Sequence, residues 1–369
     1  MRIIISGGGT GGHIYPAITI IKAIQKQVKF SEVLFIGTEQ GLEADIIPKE
    51  GFAFKTIEVR GFERKISLEN VKTIGKTVGS LWKSRTIIKD FKPDIVIGTG
   101  GYVCGPVLLT ASMMGIPTMI QEQNVIPGIT NKILSRFVDK IAVGYAEAMA
   151  YFPNKDKIFV SGNPIREDVL SATREESIAA LGLDPKKRTI LISGGSRGAR
   201  SINQAMIQVH QEFAGRNDIQ LLHITGQNEY NGIVGNLKQC CIDINKVGNI
   251  IITPYLYNMP QALAVADLAI FRAGAVGLAE LTARGIPSIL IPYPYAAENH
   301  QEFNARTMEK QGAAILIRDR ELDGTKLIHT IKELISSPQK LDEMAIASKK
   351  IGCPKAAESI GQMALKMIR

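Results

Sequence analysis

Short, almost wholly apolar runs alternate along the chain with longer segments of helical periodicity. The first run, "RIIIS" (2–6), stops at glycine, and "IYPAITIIKAIQKQ" (14–27) follows with an apolar stripe at helical spacing. It predicts a buried strand, a glycine turn and a helix with Pro16 in its first turn. "EVLFIGT", "DIVIGTGG", "IPTMIQEQN" and "KIAVGY" continue the alternation. Strands separated by helices imply a parallel sheet covered by helices, an α/β class.

The pattern then restarts. "GNPIREDV" (162–169) groups Gly, Asn and Pro after "KIFVS" and reads as a boundary. Beyond it, "RTILISGGSRGARSINQAMIQV" repeats strand, glycine loop and helix, and "IQLLHITG", "IIITPY", "LAIFRAGA" and "PSILIPYP" supply further strands. The expected organisation is two Rossmann-like, doubly wound domains, 1–162 and 163–345, with a C-terminal helix at 346–369 packing back on the first. Two such units facing each other would form a cleft at the carboxyl ends of their strands, where open α/β sheets bind ligands.

A length of 369 residues suits two domains, and 45% hydrophobic with 21% charged residues is an ordinary globular balance. No apolar run approaches the ~18 residues of a bilayer span. "MRIIISGGG" is too short for an export signal, so a cytoplasmic location is expected. The four cysteines form no CxxC pair and the five histidines form neither HxxxH nor HExxH. Free thiols and no metal site are therefore expected. Charge changes the picture in one place. Between Arg60 and Pro93 nine basic residues face three acids, +6 of the chain's net +9. Such a concentration attracts anionic partners.

Glycine loops close four of the strands: "GGGTGGH" and "GTGGYVCGP" in the first half, "SGGSRGA" and "RAGAVG" in the second. Glycine lets a ligand approach the backbone, and the helix that follows favours negative charge at its N-terminus. The first loop satisfies GxGxxG, but the acid a dinucleotide fold needs after its second strand is represented only by the late Glu39. Gly75-Lys76-Thr77 ends like a nucleotide-triphosphate loop, yet Asn70 stands at the required first glycine. Two pairs of loops, one per half, suggest two negatively charged ligands.

The stretches "GGGTGGHIYPA", "KPDIVIGTGGYVCGP", "IPTMIQEQN", "GNPIR", "GGSRGA", "FRAGAVGLAEL" and "NHQEFNA" occur in this order over about 300 residues. In them the chain resembles the MurG family of glycosyltransferases. The resemblance implies a GT-B fold with UDP-GlcNAc on the C-terminal domain and the acceptor on the N-terminal one. It implies no cofactor and no metal. The reaction implied is transfer of GlcNAc, with inversion, to the C4 hydroxyl of the MurNAc of undecaprenyl-pyrophosphoryl-MurNAc-pentapeptide (lipid I), giving lipid II for peptidoglycan synthesis.

Donor-binding positions carried over by this resemblance are Thr10, Gly11, Gly12, Asn124, Arg166, Ser196, Leu256, Ala275, Val276, Gly277, Leu278, Ala279, Glu280 and Gln301, with Asn299 beside them. Glu280 corresponds to a carboxylate on the ribose hydroxyls, and Leu256 to a residue whose backbone reads uracil. The amides of 271–277 are the choice for the diphosphate. Gly9 and Tyr102 fall on the acceptor side. His13 and Glu122 are the two candidates for the base; His13 has the alternative role of orienting acceptor or donor. Two departures stand out. Ala273 and Gly277 lack the hydroxyls that many members carry, and "QEQN" places Gln121 where a histidine is usual.

A polyprenyl-linked acceptor implies work at the cytoplasmic face of the bacterial inner membrane. Val71, Ile74, Val78, Leu81 and Ile88 lie at helical spacing within the basic segment, with Trp82 among lysines. This suits peripheral docking on anionic lipid, or packing into the first domain. Other cell-wall synthesis proteins are possible partners. The competing readings are a non-hydrolysing UDP-GlcNAc epimerase, whose carboxylate-rich cleft the acids here do not form, and nucleic-acid binding, for which no recognition motif is present.

Overall fold

The computed structural model describes residues 1–59 and 68–368, leaving aside the side chains of 68–78 and of residue 245. In its first strand, β1 (Arg2–Ser6), Ile3 and Ile5 pack to one side against Ile14, Ile18 and Ile21. Ile4 packs to the other side against Val107, Leu108 and Ile88. The apolar run is thus buried on both faces, as a central parallel strand must be.

The chain continues through α1 (Gly11–Gln27), β2 (Glu32–Gly37), α2 (Leu42–Lys49), β3 (Ala53–Thr56), α3 (Leu68–Phe91), β4 (Ile95–Gly98), α4 (Cys104–Met113), β5 (Thr118–Glu122), α5 (Ile129–Leu134), β6 (Lys140–Val143) and β7 (Ile158–Val160). These seven strands form one parallel sheet in the order β3-β2-β1-β4-β5-β6-β7.

The second half runs through α6 (Glu167–Ser171), α7 (Arg174–Leu181), β8 (Arg188–Ser193), α8 (Arg200–Phe213), β9 (Ile219–Ile224), α9 (Tyr230–Gln239), α10 (Ile244–Val247), β10 (Ile250–Thr253), α11 (Met259–Val265) and β11 (Ala266–Phe271). Then come α12 (Ala275–Arg284), β12 (Ser288–Leu290), α13 (His300–Lys310), β13 (Ala314–Leu316), α14 (Gly324–Ile335), α15 (Pro338–Ile351) and α16 (Ala356–Met367). Its six strands, also parallel, lie in the order β10-β9-β8-β11-β12-β13.

Strand order reverses between β1 and β4 in the first sheet and between β8 and β11 in the second. Loops leaving such neighbours diverge to opposite faces of the sheet and open a crevice, the usual ligand position in this architecture. The four glycine loops are the loops that follow these four strands. Their placement follows from topology as much as from composition.

The chain divides into Met1–Ile165 with Pro354–Arg369, and Arg166–Cys353. The boundaries therefore fall at 165/166 and 353/354 rather than 162/163 and 345/346. Asn163 stays with the first unit because its side chain bonds Gln121 and the Gln123 carbonyl. The second difference arises because α15 packs on α12, so only α16 returns to the first unit. There Ile360 and Ala364 join the core beside α1.

Three strands lacked a sequence signal: β3, β7 and β13, each an edge strand and each partly exposed. Two local expectations also change. The helix begins at Gly11, so Pro16 sits in its second turn, where it has no N–H to offer the Gly12 carbonyl. In α3, Ile88 is fully buried in the core and Leu81 is half-buried, while Trp82 is exposed. Ile88 is therefore a packing residue; the side chains of Val71, Ile74 and Val78 lie outside the described residues.

Candidate functional site

In the first unit the two glycine loops interlock. The Gly8 amide donates to the Gly100 carbonyl at 3.3 Å. A Cβ on Gly101 would stand 2.5 Å from the Gly8 carbonyl oxygen. Gly100 has φ +109°, and a Cβ there would lie 2.5 Å from His13 Nδ1. The second loop is bare so that the imidazole can lie against it.

Below the first loop sits Glu43, fully buried. Its Oε2 accepts from the Gly9 amide at 3.0 Å, and its Oε1 accepts from the Thr38 amide at 3.0 Å and the Thr38 hydroxyl at 2.7 Å. An internal carboxylate thus occupies the Gly9 N–H that the sequence offered to an acceptor anion. The start of α1, with Thr10 and Gly12 exposed and Gly11 half-buried, retains the amides that a helix N-terminus leaves without intrahelical partners.

His13 packs its Nδ1 3.0 Å from the Thr99 carbonyl and 3.2 Å from Gln123 Oε1. Desolvation holds its pKa below the ordinary value, opposed by the Thr99 carbonyl, Gln123 and the charge of Glu43. The ring is therefore neutral near pH 7, as a base must be.

Glu122 is placed otherwise. Its Oε1 accepts from the Asn124 amide at 2.9 Å and Asn124 Nδ2 at 3.3 Å. Its Oε2 accepts from the Gly128 amide at 3.1 Å and Asn131 Nδ2 at 2.8 Å. The residue is 1% exposed, and burial raises its pKa against the hydrogen bonds of Asn124, Asn131 and Gly128. With its oxygens turned into the 124–131 segment, Glu122 organises that segment and holds Asn124. Tyr102 stands exposed after the second loop.

In the second unit, Gly198 has φ +76° and passes so close to Thr225 that a Cβ would meet its carbonyl oxygen at 2.0 Å. This brings the loop carrying the exposed Ser196 against the end of β9. At β11 the strand ends and α12 begins behind Gly274, with no side-chain cap and no acid in its first turn. The amides of Ala275, Val276 and Gly277 lie at the positive end of that helix. The Leu278 amide instead closes the first turn on the Gly274 carbonyl at 3.0 Å, and its side chain is in the core.

One turn further, Glu280 Oε1 lies 3.6 Å from Arg166 Nε. Burial pushes the Glu280 carboxyl up to about 7, against the pull of Arg166. Leu256 is half-buried between Tyr255 and Tyr257, whose rings meet edge-on at 4.8 Å. Gln301 accepts from the Tyr293 amide at 2.9 Å through Oε1, which leaves its NH₂ to donate. Asn299 spends its own NH₂ on Glu302 at 2.9 Å.

The glycosyltransferase family 28 N-terminal domain matches residues 3–143, and its C-terminal domain matches residues 189–360. A protein of Desulforamulus reducens named UDP-N-acetylglucosamine--N-acetylmuramyl-(pentapeptide) pyrophosphoryl-undecaprenol N-acetylglucosamine transferase is 51% identical over 360 residues, 98% of this chain and 97% of that one. The chain belongs to glycosyltransferase family 28.

A protein of the same name from Halalkalibacterium halodurans is 47% identical over 98% of both chains. The crystal structure of Acinetobacter baumannii MurG superimposes with a TM-score of 0.78 at 26% identity, covering 99% of each chain. The GT-B class expected from the motifs is the class of this fold. UDP-GlcNAc 2-epimerase from Neisseria meningitidis also superimposes, with a TM-score of 0.68 over 99% of this chain and all (100%) of that one. At 16% identity this is a likeness of fold alone.

Several residues that brace the glycine loops of the two units escaped the sequence. Arg272, inside "FRAGAVG", is a brace rather than a phosphate ligand. It donates to Asp319 at 2.5 Å, to Ser201 Oγ at 2.8 Å and to the Ile291 and Pro292 carbonyls at 3.1 Å. Buried Asn304 donates to the Ala273 carbonyl at 3.2 Å and so fixes the turn into α12 from behind. Glu43 reads in sequence only as an acid early in a helix. No local signal distinguishes these residues, because each acts on a loop distant in the chain.

Proposed function

We propose that this family 28 chain transfers GlcNAc from UDP-GlcNAc to the C4 hydroxyl of the MurNAc of lipid I, releasing UDP and forming lipid II. One observation carries the reading: in each unit the switch-point loops present complementary chemistry. The first holds a neutral imidazole, His13; the second holds an uncapped helix start beside a carboxylate–arginine pair.

In this reaction His13 Nε2 accepts the acceptor's hydroxyl proton as the C4 oxygen attacks C1 of the sugar. The bond from C1 to the diphosphate breaks, its electron pair leaves with UDP, and the anomeric configuration inverts. The amides of Ala275, Val276 and Gly277, with Arg166 and Ser196, take up the charge on the departing diphosphate. Glu280 accepts from the ribose hydroxyls, the Leu256 backbone reads the uracil, and Gln301 donates to the sugar. Thr10, Gly11, Gly12 and Asn124 contact the transferred sugar, and Tyr102 meets the acceptor. The charge is balanced by protein groups, without a divalent cation.

Radiolabelled UDP-GlcNAc with a short-chain lipid I analogue tests this. Labelled lipid II is expected, at equal rate with and without a chelator. Absence of product removes the assignment, and loss of turnover on chelation restored by magnesium or manganese removes the cation-free part.

The acceptor's lipid places the work at an anionic membrane surface. Among the described residues no helix is long and apolar enough to cross a membrane. Trp82, Met113, Ile129, Ile133 and Phe137 are exposed on or just after α3, α4 and α5, which pack in succession. Lys83, Arg85 and Arg136 are exposed among them. Such a face docks by apolar contact and attraction to acidic lipid. Binding to vesicles containing phosphatidylglycerol is expected to weaken with rising salt and with Trp82→Ser. Binding unaffected by salt contradicts the electrostatic part.

A further inference from the structure

Three buried amide side chains stand behind His13, and their hydrogen bonds allow one orientation. Gln123 Nε2 lies 2.7 Å from the Thr99 carbonyl, 3.3 Å from the Gln121 carbonyl and in contact with Gln121 Oε1. All three are acceptors, so this end of Gln123 must be its NH₂. Gln121 in turn donates through Nε2 to Asn163 Oδ1 at 3.0 Å, and Asn163 Nδ2 donates to the Gln123 carbonyl at 2.9 Å. The ring of bonds closes on itself. Gln121 is 0%, Gln123 2% and Asn163 4% exposed, so water does not compete for these groups. Gly144 makes the room, since a Cβ there would lie 2.3 Å from Asn163 Oδ1.

The consequence falls on the imidazole. With the Gln123 NH₂ turned away, its Oε1 faces His13 Nδ1, and the Thr99 carbonyl faces the same atom. Two acceptors on one ring nitrogen require that nitrogen to carry the proton. The lone pair of the neutral ring is then on Nε2. We propose that Gln123, locked by Gln121 and Asn163, sets the tautomer of His13 together with the Thr99 carbonyl and is a positioning residue for the transfer. This rests on the reading of His13 as the base.

Other charged or titratable groups near the ring do not substitute for it. Glu43, from α2, is bonded to Gly9 and Thr38. Cys104, from α4, has its Sγ 3.0 Å from both the Ser6 and the Gly100 carbonyl, to one of which its single S–H donates, and burial pushes the thiol up to about 11. Glu122, on β5, is held by Asn124, Gly128 and Asn131.

Long-range proton–nitrogen correlation of protein labelled with ¹⁵N-histidine reads the tautomer directly, with His13→Ala identifying the signals. Wild type is expected as the Nδ1–H form and Gln123→Met as a mixture. Turnover of Gln123→Met is expected to fall about tenfold, less than on loss of His13, because the Thr99 carbonyl still faces Nδ1. Losing an acceptor destabilises the imidazolium, so the acid limb of the rate profile moves to lower pH. A merely structural role would reduce the active fraction and leave that limb in place. Should Gln123→Met fail to fold, Gln121→Met removes the one side-chain acceptor on the Gln123 NH₂ without touching His13, and a smaller shift in the same direction is expected. An Nε2–H wild type, or unchanged His13 signals and limb in the folded variant, overturns the proposal. A wild type without transfer activity refutes the functional reading instead, and the nitrogen spectra still decide the tautomer.

Discussion

His13→Ala is expected to lower the turnover number by about 10²–10⁴-fold, the usual contribution of a general base. The dissociation constant for UDP-GlcNAc should stay within about twofold, since the uncapped helix and the Glu280–Arg166 pair are untouched. His13 is already deprotonated at neutral pH because desolvation lowers its pKa. In wild type at saturating donor, turnover should therefore hold through neutral pH and fall only in acid, below the ordinary histidine value. Gly100→Ala provides an independent check. At φ +109°, with its Cβ directed at His13 Nδ1, alanine must strain the loop or displace the ring. It should reproduce the turnover defect with donor binding intact. Steady-state kinetics beside calorimetric titration of donor separates these outcomes, and a His13→Ala variant retaining half the wild-type turnover would show that another group takes the proton.

The second large effect is expected on donor affinity. A hydrogen bond to a charged group contributes about 1.5–3 kcal/mol, so Glu280→Ala should weaken UDP-GlcNAc binding roughly 10- to 100-fold. Its side chain is 11% exposed, which limits competition from water. The pH dependence has a definite sign. Burial brings the free carboxyl to about 7, so it is largely protonated below that value. Donor binding that requires the carboxylate should weaken as pH falls through about 7 and level off above it, with a proton released on binding in acid. Glu280→Gln should flatten this dependence. Titration of wild type and Glu280→Gln between pH 5.5 and 8.5, as about the accessible range of the method, gives the comparison. Parallel curves would remove Glu280 from the ribose.

The central strands were legible because a strand covered by helices on both faces must be apolar at nearly every position. β1, β8 and β11 are such strands. β3, β7 and β13 were not, since each is only three or four residues long and partly exposed, too short a run to show a period. The glycine loops were equally plain, and so were the helices after β1, β8 and β11; α4, after β4, was not. What the loops were for was only half legible. Two of them keep side chains away so that the protein's own groups can enter: Gly100 admits His13, and the first loop rests on Glu43. Glu122 looked like a candidate base in sequence and is a buried organiser of Asn124 in space.

Sequence by itself determined the two parallel sheets, the four loops and the family, because each is written in local composition and spacing. Tertiary structure alone decided which groups remain available to react. Glu43, Gln123, Asn163, Arg272 and Asn304 act on partners far along the chain. A buried polar group is defined by the partner that satisfies it, and no single position in a sequence names that partner.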